Sequence, residues 1–214
     1  MKYNHVNTIC ERFLSIVSSV SKGERTRERL IGAAVAEFRR AGAAAADIRA
    51  IAAAAGVSPA TFYFHFPTRD HVLMELERRE EERIAAELSR FFSDSPALPD
   101  ALRRTVATIL ALEERLGSYL FKDFLALHFS AARPPEEVWD KHPVIVVVVE
   151  HLRRARERGE LAPDVGPLYS GLFFHVGLYA LLLTLPPNGP IRGQVLEHYV
   201  QNSLNGMRAM VPNR

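Results

Sequence analysis

The chain has 214 residues, 48% of them hydrophobic and 24% charged, the balance of a folded globular protein rather than a disordered or fibrous one. Its formal net charge of +2 requires any basic patch to be local. A lone cysteine, Cys10, excludes an internal disulfide and fits a reducing, cytoplasmic setting.

In chain order, residues 1–22 lack the apolar core and cleavage site of a secretory signal. Ile9, Phe13, Ile16, Val17 and Val20 share one helical face, so this stretch is an extra helix, an extension outside the fold, or the product of a start placed too far upstream. From there helical periodicity dominates, with breaks at Pro and Gly. The predicted helices are 26–41, 47–54, 58–65, 69–92, 98–115, 118–130, 143–158, 167–185 and 191–210. The expected fold is all-α: a three-helix unit over 23–70 and a larger helical bundle over 71–214, joined rigidly through the 69–92 helix.

Ile31, Ala34, Val35 and Phe38 form the apolar stripe of the first helix, which ends at Gly42. Asp47 is the expected N-cap of the second, whose inward side carries Ile48, Ile51, Ala52 and Ala55. In Ala55-Gly56-Val57-Ser58-Pro59, Gly56 suits a tight turn, Ser58 caps the third helix and Pro59 fills its first position. Val57 and Phe62 stand at the two ends of a hydrophobic staple. Two short helices, a Gly turn and a supporting first helix make a helix-turn-helix, a DNA-reading device.

With Phe62 and Phe66 facing inward, Ala60 and Phe64 point most directly away, flanked by Thr61 and Tyr63. No Lys or Arg lies between Gly56 and Thr68, so the bidentate guanine contact is missing. Ala60 and Phe64 offer apolar contact to a thymine methyl, while Ser58, Thr61, Tyr63 and His65 offer polar tips to phosphates. Cations come from the edges, Lys22, Arg25, Arg27 and Arg29 before the unit and Arg69 after it. Residues 22–70 hold eight cations and five anions, a modest local excess.

In the larger part, Val144–Val149 is β-branched but has no partner strand and leads into a charged helix, so it is read as helix. Leu168–Leu185 runs 18 residues without a charge, the lower limit for a membrane span. Its His175, two glycines, flanking prolines and lack of cationic flanks favour burial in a core or interface instead. Phe121, Phe124, Leu125, Phe129, Trp139, Phe173, Phe174 and Tyr179, with the polar Tyr119, His128 and His175 among them, are read as core or as lining for an apolar or aromatic ligand with one or two hydrogen-bonding groups. The eight histidines show no HExxH spacing, and Glu80-Glu81-Glu82 and Glu136-Glu137 read as solvated charge runs. No nucleophile elbow, phosphate loop or dinucleotide fingerprint occurs, so neither enzyme, metal nor cofactor is expected.

Thr26-Arg27, Ala33-Ala34, Phe38, Gly42, Ile51-Ala52, Ala55-Gly56-Val57-Ser58 and the run from Phe62 through Asp70 together resemble the TetR family of bacterial regulators. The resemblance covers residues 25 to about 75. Ala46-Asp47 departs from the hydroxyl residues that usually open the second helix, His65 stands where Tyr is common, and Arg69 where Lys is. The resemblance implies a homodimer on a palindromic double-stranded operator, most simply a repressor released by a small-molecule effector in the C-terminal domain. Arg25, Arg27, Asp47, Ser58, Pro59, Ala60, Thr61, Tyr63, Phe64, His65 and Arg69 would then form the DNA side. The last two helices would form the dimer through Leu172, Val176, Leu183, Leu196, Tyr199, Val200, Ser203 and Met207. The alternative is a membrane-associated or protein-interaction module whose helix-turn-helix does not serve DNA.

Overall fold

A computed structural model describes residues 21–130 and 141–208. Cys10, Trp139, Glu136-Glu137 and most of the 1–22 segment lie outside the described residues. Those described form nine α-helices and no strand: α1 (Lys22–Ala41), α2 (Ile48–Ala54), α3 (Pro59–His65), α4 (Arg69–Phe92), α5 (Leu98–Leu116), α6 (Ser118–Leu127), α7 (Pro143–Glu157), α8 (Pro167–Thr184) and α9 (Arg192–Met207).

Helix α1 begins a turn earlier than its apolar stripe suggests, because Ser21 and Glu24 close a capping box. Ser21 Oγ accepts from the Glu24 amide at 3.1 Å, and Glu24 Oε2 accepts from the Ser21 amide at 2.6 Å. At the other end Gly42, with φ +79°, places its N–H on the Phe38 carbonyl at 2.8 Å. Helix α6 is shorter than expected. The chain leaves it at His128, which carries that imidazole toward the interior of the bundle. The β-branched run forms most of the first half of α7, where Val144, Ile145, Val148 and Val149 are all buried between α4 and α8. Tertiary burial overrides β-propensity at this run.

One hydrophobic core runs from Leu30 and Phe38 in α1 to Leu204 and Met207 in α9. Helix α4 is its spine, touching α1 on one side and α5, α6 and α7 on the others. Two glycines set how closely α8 approaches its neighbours. A Cβ at Gly171 would lie 2.6 Å from Val149 Cγ2, and one at Gly177 would lie 2.5 Å from the Tyr199 hydroxyl. Close crossing lets Tyr199 donate to the Phe174 carbonyl at 2.6 Å. Helix α8 is long and apolar enough to cross a membrane by length and composition. Its Gly171, Phe174, His175, Leu178, Tyr179 and Leu182 are instead buried in the core.

Candidate nucleic-acid interface and buried polar centre

Helices α2 and α3 are set by their caps. Asp47 accepts from the Arg49 amide at 2.8 Å, and Ser58 Oγ accepts from the Thr61 amide at 3.1 Å. Gly56, at φ +66°, makes the turn between them. Phe62 and Phe66 are fully buried in the core, so the outer face of α3 carries Ala60, Tyr63 and Phe64. Phe64 is 83% exposed and Tyr63 53%. Thr61 and His65 are half-buried at the margins, and Thr61 Oγ1 is 2.9 Å from Ser58 Oγ.

The flanking arginines divide into two kinds. Arg25 is exposed. Arg27 is turned inward: its guanidinium lies 4.3 Å over the Phe66 ring, 3.2 Å from Glu75, and reaches the His65 carbonyl. Arg69 bends back as well, Nη1 donating to the carbonyls of Ala43, Ala44 and Ala46. These two arginines, expected to grip phosphates, hold the reading head together here. A planar guanidinium with five N–H groups can serve several carbonyl or carboxylate oxygens at once. Asp47, an anion, serves as the N-cap of α2.

The aromatic set expected around a ligand splits in the same way. Phe121, Phe124, Leu125, His128, His175 and Tyr179 converge in the interior, each 3% exposed or less. Their rings touch in sequence: Phe124 to His128 at 5.4 Å between centroids, His128 to Tyr179 at 4.7 Å, and Tyr179 to His175 at 4.2 Å. Tyr119, Phe129 and Phe173 do not join them; all three are exposed on the outside of the bundle. Tyr119 and Phe173 lie on outward faces of α6 and α8, and Phe129 lies in the turn beyond α6, which spacing alone does not reveal. Leu196, Val200 and Met207, expected at a dimer contact, are buried within their own chain. Leu172, Val176, Leu183, Tyr199 and Ser203 are half-buried on the α8–α9 surface, beside the exposed Tyr169, Phe173 and Ile191.

At the heart of the converging set is a group that sequence reasoning missed. Glu77 and Glu81, one turn apart on α4, are 4% and 2% exposed. His128 Nε2 stands 3.1 Å from Glu77 Oε1 and 3.3 Å from Glu81 Oε1. His142, at the N-cap of α7, places Nε2 3.3 Å from Glu81 Oε2 and 3.1 Å from His128 Nε2. The Tyr179 hydroxyl donates to Glu81 Oε1 at 2.9 Å. Burial opposes the Glu81 carboxylate, but the neighbouring imidazoles of His128 and His142 outweigh it and hold its carboxyl far below the ordinary range. His175 sits beside them, fully buried, with neither ring nitrogen hydrogen-bonded. Burial, and then His142, push its pKa well below the usual imidazole value. The i, i+4 spacing of Glu77 and Glu81 was the available signal, hidden inside what reads as a solvated charge run.

A cleft of about 540 Å³ opens elsewhere, between the end of α5 and the start of α9. The Glu113–Arg192 ion pair, 2.6 Å apart, borders it.

A capped helix-turn-helix with bare aromatic side chains at its apex, rigidly mounted on a larger helical domain, defines a DNA-binding transcriptional regulator. Residues 30–76 match the family described as bacterial regulatory proteins, tetR family. The regulator UidR of Escherichia coli K12 is 24% identical over 147 residues, covering 68% of this chain and 74% of that protein. Among solved structures, the fold is similar to Thermus thermophilus FadR, a TetR-family repressor in complex with lauroyl-CoA. That likeness has a TM-score of 0.66 and 23% identity, and covers 88% of this chain and 98% of FadR. It is also similar to AibR in complex with isovaleryl coenzyme A and operator DNA, with a TM-score of 0.58, 15% identity and coverage of 83% and 97%.

Proposed function

We propose that the protein is a dimeric repressor that seats α3 of each subunit in a major groove of a palindromic operator and is released by a small ligand in the helical domain. The observation that carries this reading is the exposed Phe64, presented by a helix whose opposite face is locked down by Phe62 and Phe66. An apolar side chain at that apex suits contact with thymine methyls, with Ser58, Thr61, Tyr63 and His65 around it for phosphate oxygens. Arg25, Lys22, Arg29 and Arg49 lie exposed on the same domain and supply the sequence-independent attraction.

The unpartnered surface of α8 and α9 supports dimerisation. Tyr169, Phe173 and Ile191 are exposed next to Leu172, Val176, Leu183 and Tyr199, an apolar face that a second copy would cover. For the effector, the walls of Phe121, Phe124, Leu125 and Tyr179 suit an apolar or aromatic body, and the polar groups at their centre suit one or two hydrogen bonds. The complexes of FadR with lauroyl-CoA and of AibR with isovaleryl coenzyme A are in keeping with a small-molecule effector.

The test is a mobility shift with the DNA upstream of the protein's own gene, at low and at raised salt. A shift by a dimer that random DNA does not compete away supports the reading. A monomer that ignores this DNA at low salt overturns it.

A further inference from the structure

The buried carboxylates and imidazoles are arranged as a metal ion would arrange them. We propose that Glu81, His128 and His142, with Glu77 and His175 at their side, form a site for one divalent transition-metal ion, with zinc-like preference for nitrogen and carboxylate ligands.

The first argument is distance. Donors about 2.05 Å from a tetrahedral ion stand roughly 3.3 Å from one another. The donor separations here are 3.1 Å between the two histidine Nε2 atoms, 3.3 Å from His128 to Glu81 Oε1 and 3.3 Å from His142 to Glu81 Oε2. Glu81, His128 and His142 each offer one ligand atom, these atoms lie within 4.8 Å of one another, and all three residues are buried.

The second argument is proton placement. His128 Nδ1 lies 3.1 Å from the Phe124 carbonyl, an oxygen that only accepts, so Nδ1 is the protonated nitrogen. In the neutral ring Nε2 then carries a lone pair, and that lone pair faces the carboxylates of Glu77 and Glu81 at 3.1 and 3.3 Å. That lone pair is the one a metal ion would take, in the place of the Nε2 proton that an imidazolium would donate to the same carboxylates. The same carbonyl contact is the outer-shell bond that metal-binding histidines make with their second nitrogen.

The third argument is charge and satisfaction. Two carboxylates 4% and 2% exposed concentrate negative charge where water does not reach, and a dication balances it better than hydrogen bonds alone. His175, fully buried with both ring nitrogens unbonded, adds an imidazole at 5.1 Å between ring centroids from His142. Neutral imidazoles and carboxylates without thiolates select borderline first-row ions over magnesium or calcium.

The ligands come from α4, from the end of α6 and from the start of α7, with His175 on α8. A bound ion would therefore tie the helix leaving the reading head to the elements behind it. The proposal rests on this side-chain geometry and not on DNA binding.

The experiment uses the full chain, dialysed against chelator and then titrated with Zn²⁺ or Co²⁺ in the presence of excess Mg²⁺. Expected are one ion per chain, visible cobalt absorption, and a raised Tm on zinc addition. Glu81→Gln, which keeps the shape of the side chain, and His128→Ala should each weaken binding by about a hundredfold or more. His198→Ala, on the exposed face of α9, should leave it unchanged. Absence of stoichiometric binding to the wild-type chain overturns the proposal and leaves a hydrogen-bonded network only. So does binding that survives Glu81→Gln and His128→Ala in variants with native circular dichroism. Metal content is read without DNA, so this result and the operator assay fail independently.

Discussion

Asp123 of α6 accepts a hydrogen bond from the backbone amide of Ala43 at 2.6 Å, across 80 positions of sequence. Ala43 begins the turn between α1 and α2, so a carboxylate of the larger domain completes the backbone of the reading head. Where Gly42 precedes it, a Cβ would come within 3.3 Å of the same Asp123 oxygen. Any shift of α6 is thereby felt at the base of the helix-turn-helix. Asp123→Ala should destabilise the head by about 1–2 kcal/mol, the scale of a charged hydrogen bond at a half-exposed site. Faster hydrogen exchange at the Ala43 amide, with little change in the α7–α8 core, is the expected signature.

Phe64→Ala should leave stability almost unchanged, since the side chain is 83% exposed. Its cost should fall on discrimination: weaker preference for thymine at one operator position, with non-specific affinity nearly intact. Equal losses on cognate and random DNA would count against a base contact. Phe62→Ala, one face away and fully buried, should instead cost about 3–5 kcal/mol of folding stability.

For Arg69 the structure reverses the expectation drawn from sequence. A phosphate ligand replaced by alanine flattens the salt dependence of binding by about one unit of slope. With Nη1 committed to the Ala43, Ala44 and Ala46 carbonyls, Arg69→Ala should lower the Tm and leave the slope nearly unchanged. Thermal melts and affinity at several salt concentrations separate the two roles.

The metal-free protein should lose stability as pH falls below about 6.5. Burial holds His175 neutral in the fold, while the unfolded chain protonates it near its ordinary value of 6.5. Unfolding therefore takes up a proton in that range, and stability present above it declines by up to about 1.4 kcal/mol per pH unit. Glu81, His128, His142 and Tyr179 face His175. Glu81, whose carboxyl is depressed, contributes stability above its ordinary 4.5 and loses it only in stronger acid. His175→Leu should reduce the slope between pH 6.5 and 5.5. His151, also held low by burial, adds the same sign and persists in that variant. An unchanged slope would show that His175 is charged in the fold.

Phe173→Glu should yield a monomer of native helicity, because its side chain is 70% exposed. Sedimentation velocity would detect the change. A dimer that survives would move the interface away from this face of α8.

The helix-turn-helix was legible because its signals are local. Caps at Asp47 and Ser58, the turn at Gly56 and the stripe from Ile31 to Phe38 each act within a few residues of themselves. The same locality fixed the all-helical fold and predicted that Phe64 would face away from Phe62. What α8 buries, and what it leaves bare, was not local: it is apolar on every side, so its sequence carries no direction. Only packing against Val149 and Tyr199 decided that Tyr179 and His175 turn inward while Phe173 turns out. The arginines at 27 and 69 were likewise settled by oxygens distant in sequence. So was the Glu81–His128–His142 cluster, whose members belong to three elements. Spacing along a chain reports faces of one helix, and a site shared among several exists only once they meet.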